Sequence, residues 1–449
     1  MLLQFALNEF SFLHSRSKYS VHHIVTLKVK VNEYCWFISI SLDESCQHPF
    51  WKKSKEKEHK HKLVQTEEVM EKVRNLPQEL LEDILSRLPY KSLMRFKCVC
   101  KYWYALFHDP LFLSRHLSNF VKSHNNSANS VLLRLSFPTI LGDGLENYKL
   151  FSLSGFSAVE TLVPKFNMLS TKFQISGHCN GILCLSIDYW PRSKEVLLYN
   201  PATREFRCLP DTAIRLKPSA LALAVGMGYD PFTDDYKVIR IWKVDAHRNG
   251  GVFSTNWVEE YALSADSWTM LHNTNAENFL FGIDCFAMCF RRTYYWWAFS
   301  REDKGSVILA LDMEDEVFQR VPMPPHVDII EPDGRSLTVW NDSISLICCA
   351  FHGSTPSIDI WVMDGFGAEG SWTRLQTIKH LREEPKPLVF WKGNELLMEM
   401  VCGKIKSYNV DTQEFKDVII TEHTVPHSSQ AVNYVATTVS LNGGGNYLI

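Results

Sequence analysis

The chain has 449 residues, 45% hydrophobic and 22% charged, with a formal net charge of −3. That length suits roughly two or three domains, or one large repeat domain beside a small one, and the composition is ordinary for a globular protein. The charge balance excludes a global attraction to nucleic acid or anionic membrane, and no stretch reaches the roughly 18 uninterrupted apolar residues that span a bilayer.

Residues 1–70 read as an irregular, poorly ordered extension ending in the charge run Lys52 to Lys62. Met1 to Leu13 lack the basic start of a signal peptide, and Val21 to Leu42 alternate with Lys28, Lys30 and Glu33. Secretion and membrane insertion are therefore excluded, and a cytoplasmic or nuclear location is expected. The sequons at Asn125 and Asn341 then carry no glycan. Met70 stands just before the first well-patterned segment and is a candidate initiator. His59 and His61 lie in the charged run and read as solvated rather than metal-ligating. Cys98-x-Cys100 and Cys348-Cys349 are too closely spaced for the usual zinc motif. The twelve cysteines read as reduced and mostly buried.

Residues 75–118 are patterned as helices. Pro77 suits a first helical position. Leu80, Leu81, Ile84, Leu85 and Leu88 share one helical face. Pro89 breaks that helix and opens the next. Leu93, Phe96 and Cys100 form a second stripe with Val99 beside it, Trp103 and Leu106 extend into a third helix, and Asp109-Pro110 marks its end. A segment of roughly 40 residues cannot enclose so many large apolar side chains by itself. Some of that surface must meet another one, either the rest of the chain or a separate protein.

The string Leu76-Pro77, Ile84-Leu85, Leu88-Pro89, Lys91-Ser92-Leu93, Arg95-Phe96, Cys98-Val99-Cys100, Lys101, Trp103 and Asp109-Pro110 resembles an F-box. The resemblance implies docking on the Skp adaptor of a Skp–cullin–F-box ubiquitin ligase. The implied adaptor contacts are Leu76, Pro77, Leu80, Ile84, Leu85, Leu88, Pro89, Leu93, Phe96, Val99 and Trp103. Seven basic and four acidic residues between Arg74 and Arg115 would suit an acidic partner surface.

Residues 119–130 are polar and aperiodic and read as a linker. From Val131 onward, short β-branched and aromatic runs alternate with Gly, Asn, Asp and Pro turns, an all-β pattern that closes by residue 441 and leaves 442–449 as a tail. An aromatic followed three positions later by an aliphatic residue recurs at Phe206–Leu209, Trp268–Leu271, Phe318–Val321, Trp372–Leu375 and Phe415–Val418. Tyr199, Tyr261, Leu311 and Tyr408 precede four of these aromatics by seven positions. Trp361 precedes the remaining one, Trp372, with four extra residues in the turn. The aromatics are 62, 50, 54 and 43 residues apart, near the ~40–50 residues of a propeller blade. A degenerate unit from Val131 to Leu162 completes about six blades, with the late run Tyr434 to Leu441 as its closing strand.

This region resembles the F-box-associated, kelch-like domain of plant F-box proteins. The resemblance rests on Gly177-His-Cys-Asn-Gly-Ile-Leu-Cys-Leu185, Tyr199-Asn-Pro-Ala-Thr-Arg-Glu-Phe206, Gly228-Tyr-Asp-Pro-Phe-Thr-Asp-Asp-Tyr-Lys-Val238 and Ile360-Trp-Val-Met363 through Ser371-Trp372. The blades lack the Gly-Gly pair of the kelch pattern. The stretches Arg95-Phe96-Lys97-Cys98 and Trp361 to Lys379 are similar to S-locus F-box proteins, which implies a non-self S-ribonuclease as target.

Catalytic chemistry finds little purchase. His178 and Cys179 are adjacent, so in a strand they face opposite ways and form no dyad. There is no P-loop, no nucleophile elbow and no paired metal motif. No cofactor or metal is expected. Nine acidic residues between Glu302 and Asp333, among them Asp312, Glu314, Asp315 and Glu316, face only Lys304 and Arg320. They form a candidate acidic rim for a basic substrate protein. The expected architecture is thus multidomain α+β: a small three-helix F-box followed by an all-β kelch-like propeller. The expected role is a non-catalytic substrate receptor that binds the adaptor, and cullin through it. The alternative is an interaction module that sequesters a protein without ubiquitin transfer.

Overall fold

The computed structural model describes residues 78–441 with side chains, save short stretches such as 120–129, 139–145, 162–172 and 213–219, and the backbone of strands between residues 5 and 42. The chain divides into two compact units, Met1–Phe107 and His108–Ile449.

In the first unit, strands Phe10–Ser17, Ser20–Val31 and Tyr34–Leu42 pair antiparallel, with Phe5–Ala6 added to the edge of Ser20–Val31. Composition pointed to irregular chain here. The strands fall where β-branched and polar residues alternate, as in Val25-Thr-Leu-Lys-Val-Lys-Val31. Three helices follow, α1 (Gln78–Ser86), α2 (Tyr90–Phe96) and α3 (Lys101–Leu106).

The second unit begins with one more helical turn pair, residues 111–116. Asp109 starts this helix rather than only ending α3. Its carboxylate accepts the Phe112 N–H at 3.0 Å and its carbonyl accepts the Leu113 N–H at 3.0 Å, an N-cap arrangement. Sequence reasoning gave residues 111–116 to the helical segment, yet Leu113 packs on an apolar cluster of the β body, beside Cys179, Tyr229 and Leu263.

Six antiparallel units make up that body, five of four strands and one of five. Blade 1 comprises Gln430–Tyr434, Ser130–Pro138, Glu146–Ser154 and Ser157–Thr161, from the centre outward. Blade 2 runs Phe173–Cys179, Ile182–Tyr189, Ser193–Asn200 and Glu205–Cys208. Blade 3 runs Leu221–Asp230, Asp235–Arg248, Gly251–Ala262 and Ser267–Leu271. Blade 4 splits its inner strand into Phe279–Phe281 and Met288–Phe290, then continues with Thr293–Ser300, Ser306–Asp312 and Phe318–Val321. Blade 5 is Arg335–Trp340, Ser343–His352, Thr355–Asp364 and Ser371–Ile378, and blade 6 is Lys386–Trp391, Glu395–Glu399, Ile405–Asn409 and Phe415–Asp417. Each large apolar cluster lies between two consecutive blades: 1 and 2, 2 and 3, 3 and 4, 4 and 5, 5 and 6, and 6 and 1. Among the described residues only one small cluster, Ala220, Ala222, Trp242 and Val244, belongs to a single blade, blade 3, so most of the core is shared between neighbours and depends on ring closure.

The recurring aromatic marks the fourth strand of blades 2–6, and the residue seven positions earlier is its cross-strand partner. Tyr199 faces Phe206, Tyr261 faces Trp268, Leu311 faces Phe318 and Tyr408 faces Phe415. The Tyr261–Trp268 and Tyr408–Phe415 rings lie 5.4 and 4.9 Å apart, tilted contacts that aromatic pairs favour. In blade 5 the partner of Trp372 is Met363, not Trp361, which pairs with Arg374. A register shift between Ile360 and Trp361 accompanies the longer turn there.

The ring closes differently from expectation. The closing strand is Gln430–Tyr434, just before the run Tyr434 to Leu441, and it becomes the inner strand of blade 1. Gln430 clamps it to blade 2 by exchanging amide hydrogen bonds with the Ile175 backbone. Arg134 reinforces the junction, donating to the carbonyls of Phe173 (2.5 Å) and Ser428 (2.6 Å). Residues 435–441 form no strand but strap across the turn of blade 2. Buried Asn200 donates to the carbonyls of Val439 (2.7 Å) and Thr437 (3.3 Å), while Val439 and Leu441 enter the apolar cluster between blades 2 and 3. Gly181 lets the strap pass: its φ is +79°, and a Cβ there would sit 2.1 Å from the Val435 carbonyl oxygen.

Candidate interaction surfaces

The helices hold together through Leu85, Leu88, Leu93 and Phe96, all nearly inaccessible, with Leu106 and Phe107. Phe96 and Trp103 bring α2 and α3 into ring contact at 5.3 Å. Tyr102 donates to Glu82 at 2.9 Å, tying α3 to α1, and Arg87 pairs with Asp83 one turn back at 3.0 Å. Eleven residues were expected to grip an adaptor. Leu85, Leu88, Leu93 and Phe96 are instead interior, because a short helix can turn only one stripe outward and these complete the opposite one. Leu80 is 38% exposed, and Ile84, one turn along the same helix, and Trp103 are half-buried. Leu76, Pro77, Pro89 and Val99 lie outside the described residues. Tyr102 (43% exposed) and Tyr104 (56% exposed) also show large aromatic surface on α3. The i, i+3 stripe reading passed over them because they flank Trp103 instead of continuing it.

In the propeller, antiparallel topology puts the turns after first and third strands at one end, called here the turn end. The links between second and third strands, and between blades, lie at the other, the loop end. The strap and residues 111–116 are at the turn end, where Gly181 meets the strap and Leu113 meets Cys179 and Tyr229. The six described acidic residues do not form one rim, although the four named for it lie together. Asp312, Glu314, Asp315 and Glu316 lie at the turn end of blade 4, whereas Glu302 and Asp303 lie at its loop end. The seven-residue strand Ser306–Asp312 separates them by about 20 Å. Both groups meet arginines: Arg292 pairs with Glu314 at 3.2 Å and with Asp230 at 3.4 Å, and Arg320 pairs with Asp303 and with Glu302. Asp328, Glu331 and Asp333 are outside the described residues.

The His178–Cys179 pair offers no nucleophile. Burial pushes the Cys179 thiol up to about 12 and the His178 imidazole down to about 4, so both are neutral at physiological pH. Cys348 and Cys349 are buried as well, and burial raises both thiols to about 12. Cys208 and Cys402 are exposed, so the thiols are not uniformly interior. Among the described residues no cluster of His, Cys, Asp and Glu could hold a metal ion, and no helix is long and apolar enough to cross a membrane. His59, His61, Cys98 and Cys100 lie outside them.

A small set of helices followed by a six-bladed β-propeller is the architecture of the described chain. Residues 149–443 match the F-box associated beta propeller domain and residues 73–119 match the F-box-like model. The chain belongs to the F-box associated β-propeller family. It is 27% identical over 376 residues to the F-box/kelch-repeat protein At3g23880 of Arabidopsis thaliana, covering 82% of this chain and 96% of that one. It is 24% identical over 378 residues to the F-box protein CPR1 of Arabidopsis thaliana, covering 80% and 87%. Among solved structures, TolB from Acinetobacter baumannii aligns over 72% of each chain at 13% identity with a TM-score of 0.42.

Proposed function

We propose that this protein is the substrate-receptor subunit of a Skp–cullin–F-box ubiquitin ligase, working in the cytoplasm or nucleus. The observation that carries this reading is the outward apolar face of the helical module, Leu80, Ile84 and Trp103 with Tyr102 and Tyr104, on an F-box-like segment. Exposed apolar surface of this kind commonly marks a site where a partner protein docks. The propeller holds a target protein. Its contribution to ubiquitin transfer is proximity, which raises the effective concentration of a target lysine near the charged carrier without any chemistry in this chain. The narrower expectation, a non-self S-ribonuclease as target, is supported only by the short stretches around Arg95 and Trp361.

The exposure pattern selects the test. Leu80→Asp places a charge on the outward face and should abolish co-purification with the Skp adaptor while leaving the melting temperature within about 2 °C of the parent. Leu85→Asp puts an unpaired charge into the interior and should unfold the helices, losing several kcal/mol. Retained adaptor binding by a folded Leu80→Asp chain would refute the docking face. Adaptor binding without turnover of any captured protein would favour sequestration.

A further inference from the structure

The second and third strands of blade 3 outrun their sheet. They pair with each other from Lys237↔Ala262 to Arg248↔Gly251, but the inner strand stops pairing at Leu221↔Lys243 and the outer one at Val258↔Leu271. Residues 244–248 and 251–257 therefore extend at the loop end as a two-stranded ribbon, and the outer edge of residues 251–257 has no strand partner among the described residues. An unpaired edge presents backbone N–H and C=O groups to any extended chain.

A cavity of about 560 Å³ opens beside that edge, with Phe279 and Phe318 as walls and Asn275, Asn278, Arg301, Glu302 and Arg320 as polar lining. It is rigidly built. Buried Asn256 donates to the carbonyls of Ala276 and Phe279, both at 2.8 Å. The Arg301 N–H bonds Asn278 and the Phe318 N–H bonds Thr274, each at 3.0 Å. The two guanidinium groups differ. Arg320 is neutralised by Asp303 and Glu302 and donates to Ser300 at 2.7 Å. Arg301 has no ion pair among the described residues. It reaches only two carbonyls, those of Phe279 and Ser254, each at 3.4 Å. Ser254 lies on the ribbon edge, so Arg301 is the point where edge and cavity meet.

We propose that this junction of blades 3 and 4 captures an extended peptide segment bearing an acidic side chain. The segment adds a strand to the ribbon edge through main-chain hydrogen bonds, and a carboxylate enters the cavity to pair with Arg301 beside the Asn275 and Asn278 carboxamides. Edge pairing supplies affinity that is blind to sequence, and the cavity supplies the selection. The site lies at the opposite end of the propeller from the strap and residues 111–116, so occupancy leaves that end uncovered. The proposal deepens the receptor reading and rests on it.

The test uses the full chain co-purified with its Skp adaptor. The probes are fluorescein-labelled ten-residue peptides of alternating Thr and Val with a central Glu, a central Gln, or a central Glu with alternate backbone nitrogens methylated. Anisotropy should show the Glu peptide binding about tenfold or more tighter than the Gln peptide, the scale of one charge-assisted hydrogen bond. Arg301→Gln should erase that preference at unchanged melting temperature, methylation should erase binding, and Asp315→Lys at the turn end should change neither. Equal binding of the Glu and Gln peptides, a preference that survives Arg301→Gln, or no binding up to about millimolar peptide would overturn the proposal. Failure of the receptor reading is separately visible as loss of adaptor co-purification from the unmutated chain.

Discussion

Ending the chain at Ala436 removes the strap while leaving the closing strand Gln430–Tyr434 in place. Leu441 and Val439 are buried between blades 2 and 3, at 1% and 9% exposure. Each contributes about 1.5–3 kcal/mol of burial. Asn200 is fully buried, and its amide N–H groups would lose both carbonyl acceptors at Thr437 and Val439, a further ~1–3 kcal/mol. Discounting the apolar part for residual burial in the unfolded chain leaves about 5 kcal/mol. At ~2.1 cal/mol/K per residue over roughly 310 propeller residues, that lowers the melting temperature by about 8 °C. Thermal melts by circular dichroism, with a chain ending at Leu441 as the matched reference, measure it. Melting within about 2 °C of the reference would refute the claim that the strap shares in closing the ring.

Two further outcomes follow from buried charges. Glu259 is fully buried and accepts from Arg240 (2.6 Å), Trp242 (2.7 Å) and Thr212 (2.6 Å). Arg240→Ala leaves that carboxylate uncompensated and should cost about 3–5 kcal/mol in denaturant titration, whereas Arg240→Met with Glu259→Leu should cost clearly less. Glu399, 1% exposed on the second strand of blade 6, accepts the Ser429 N–H at 3.2 Å, and burial raises its carboxyl above the usual range despite Lys386 nearby. A raised acid holds its proton better in the folded state, so the native protein gains stability as pH falls through the folded value toward the unfolded one near 4.5. Glu399→Gln should therefore melt above the parent at neutral pH, with the gap narrowing on acidification. A gap that widens in acid would reverse the assignment.

The repeat was legible because its physical cause is local. A tight turn of fixed length fixes which residues face each other, so Tyr199 and Phe206 must sit seven apart wherever the four-residue turn recurs. Blade 5 was misread for the same reason. With a longer turn and a shifted register, the nearest aromatic upstream, Trp361, was taken for the partner that is in fact Met363. The closing strand was misplaced because Tyr434 to Leu441 and Gln430–Tyr434 both alternate and overlap at Tyr434. Only the non-local pairing of Val432 with Leu132 decides between them, and no local pattern encodes it.

The site was less legible, and the helical module shows why. Its spacing identifies apolar stripes but not which stripe is turned inward, since a docking face and a core face have the same period and the same composition. Leu80 and Leu85 are near neighbours of one chemistry, yet one is 38% exposed and the other 3%. The acidic run divides in a complementary way. Nine carboxylates close in sequence suggested one rim, but a strand carries its two ends to opposite faces, so contiguity along the chain becomes separation in space. Arg301 went unnoticed for the inverse reason. Nothing in its flanking residues, Ser300 and Glu302, distinguishes it from Arg320. What sets it apart is that two carboxylates from its own hairpin fold back onto Arg320 and leave Arg301 facing the cavity with only carbonyls for company. Electrostatic selection at such a site is decided by which cation its own fold neutralises, and that is settled by tertiary structure.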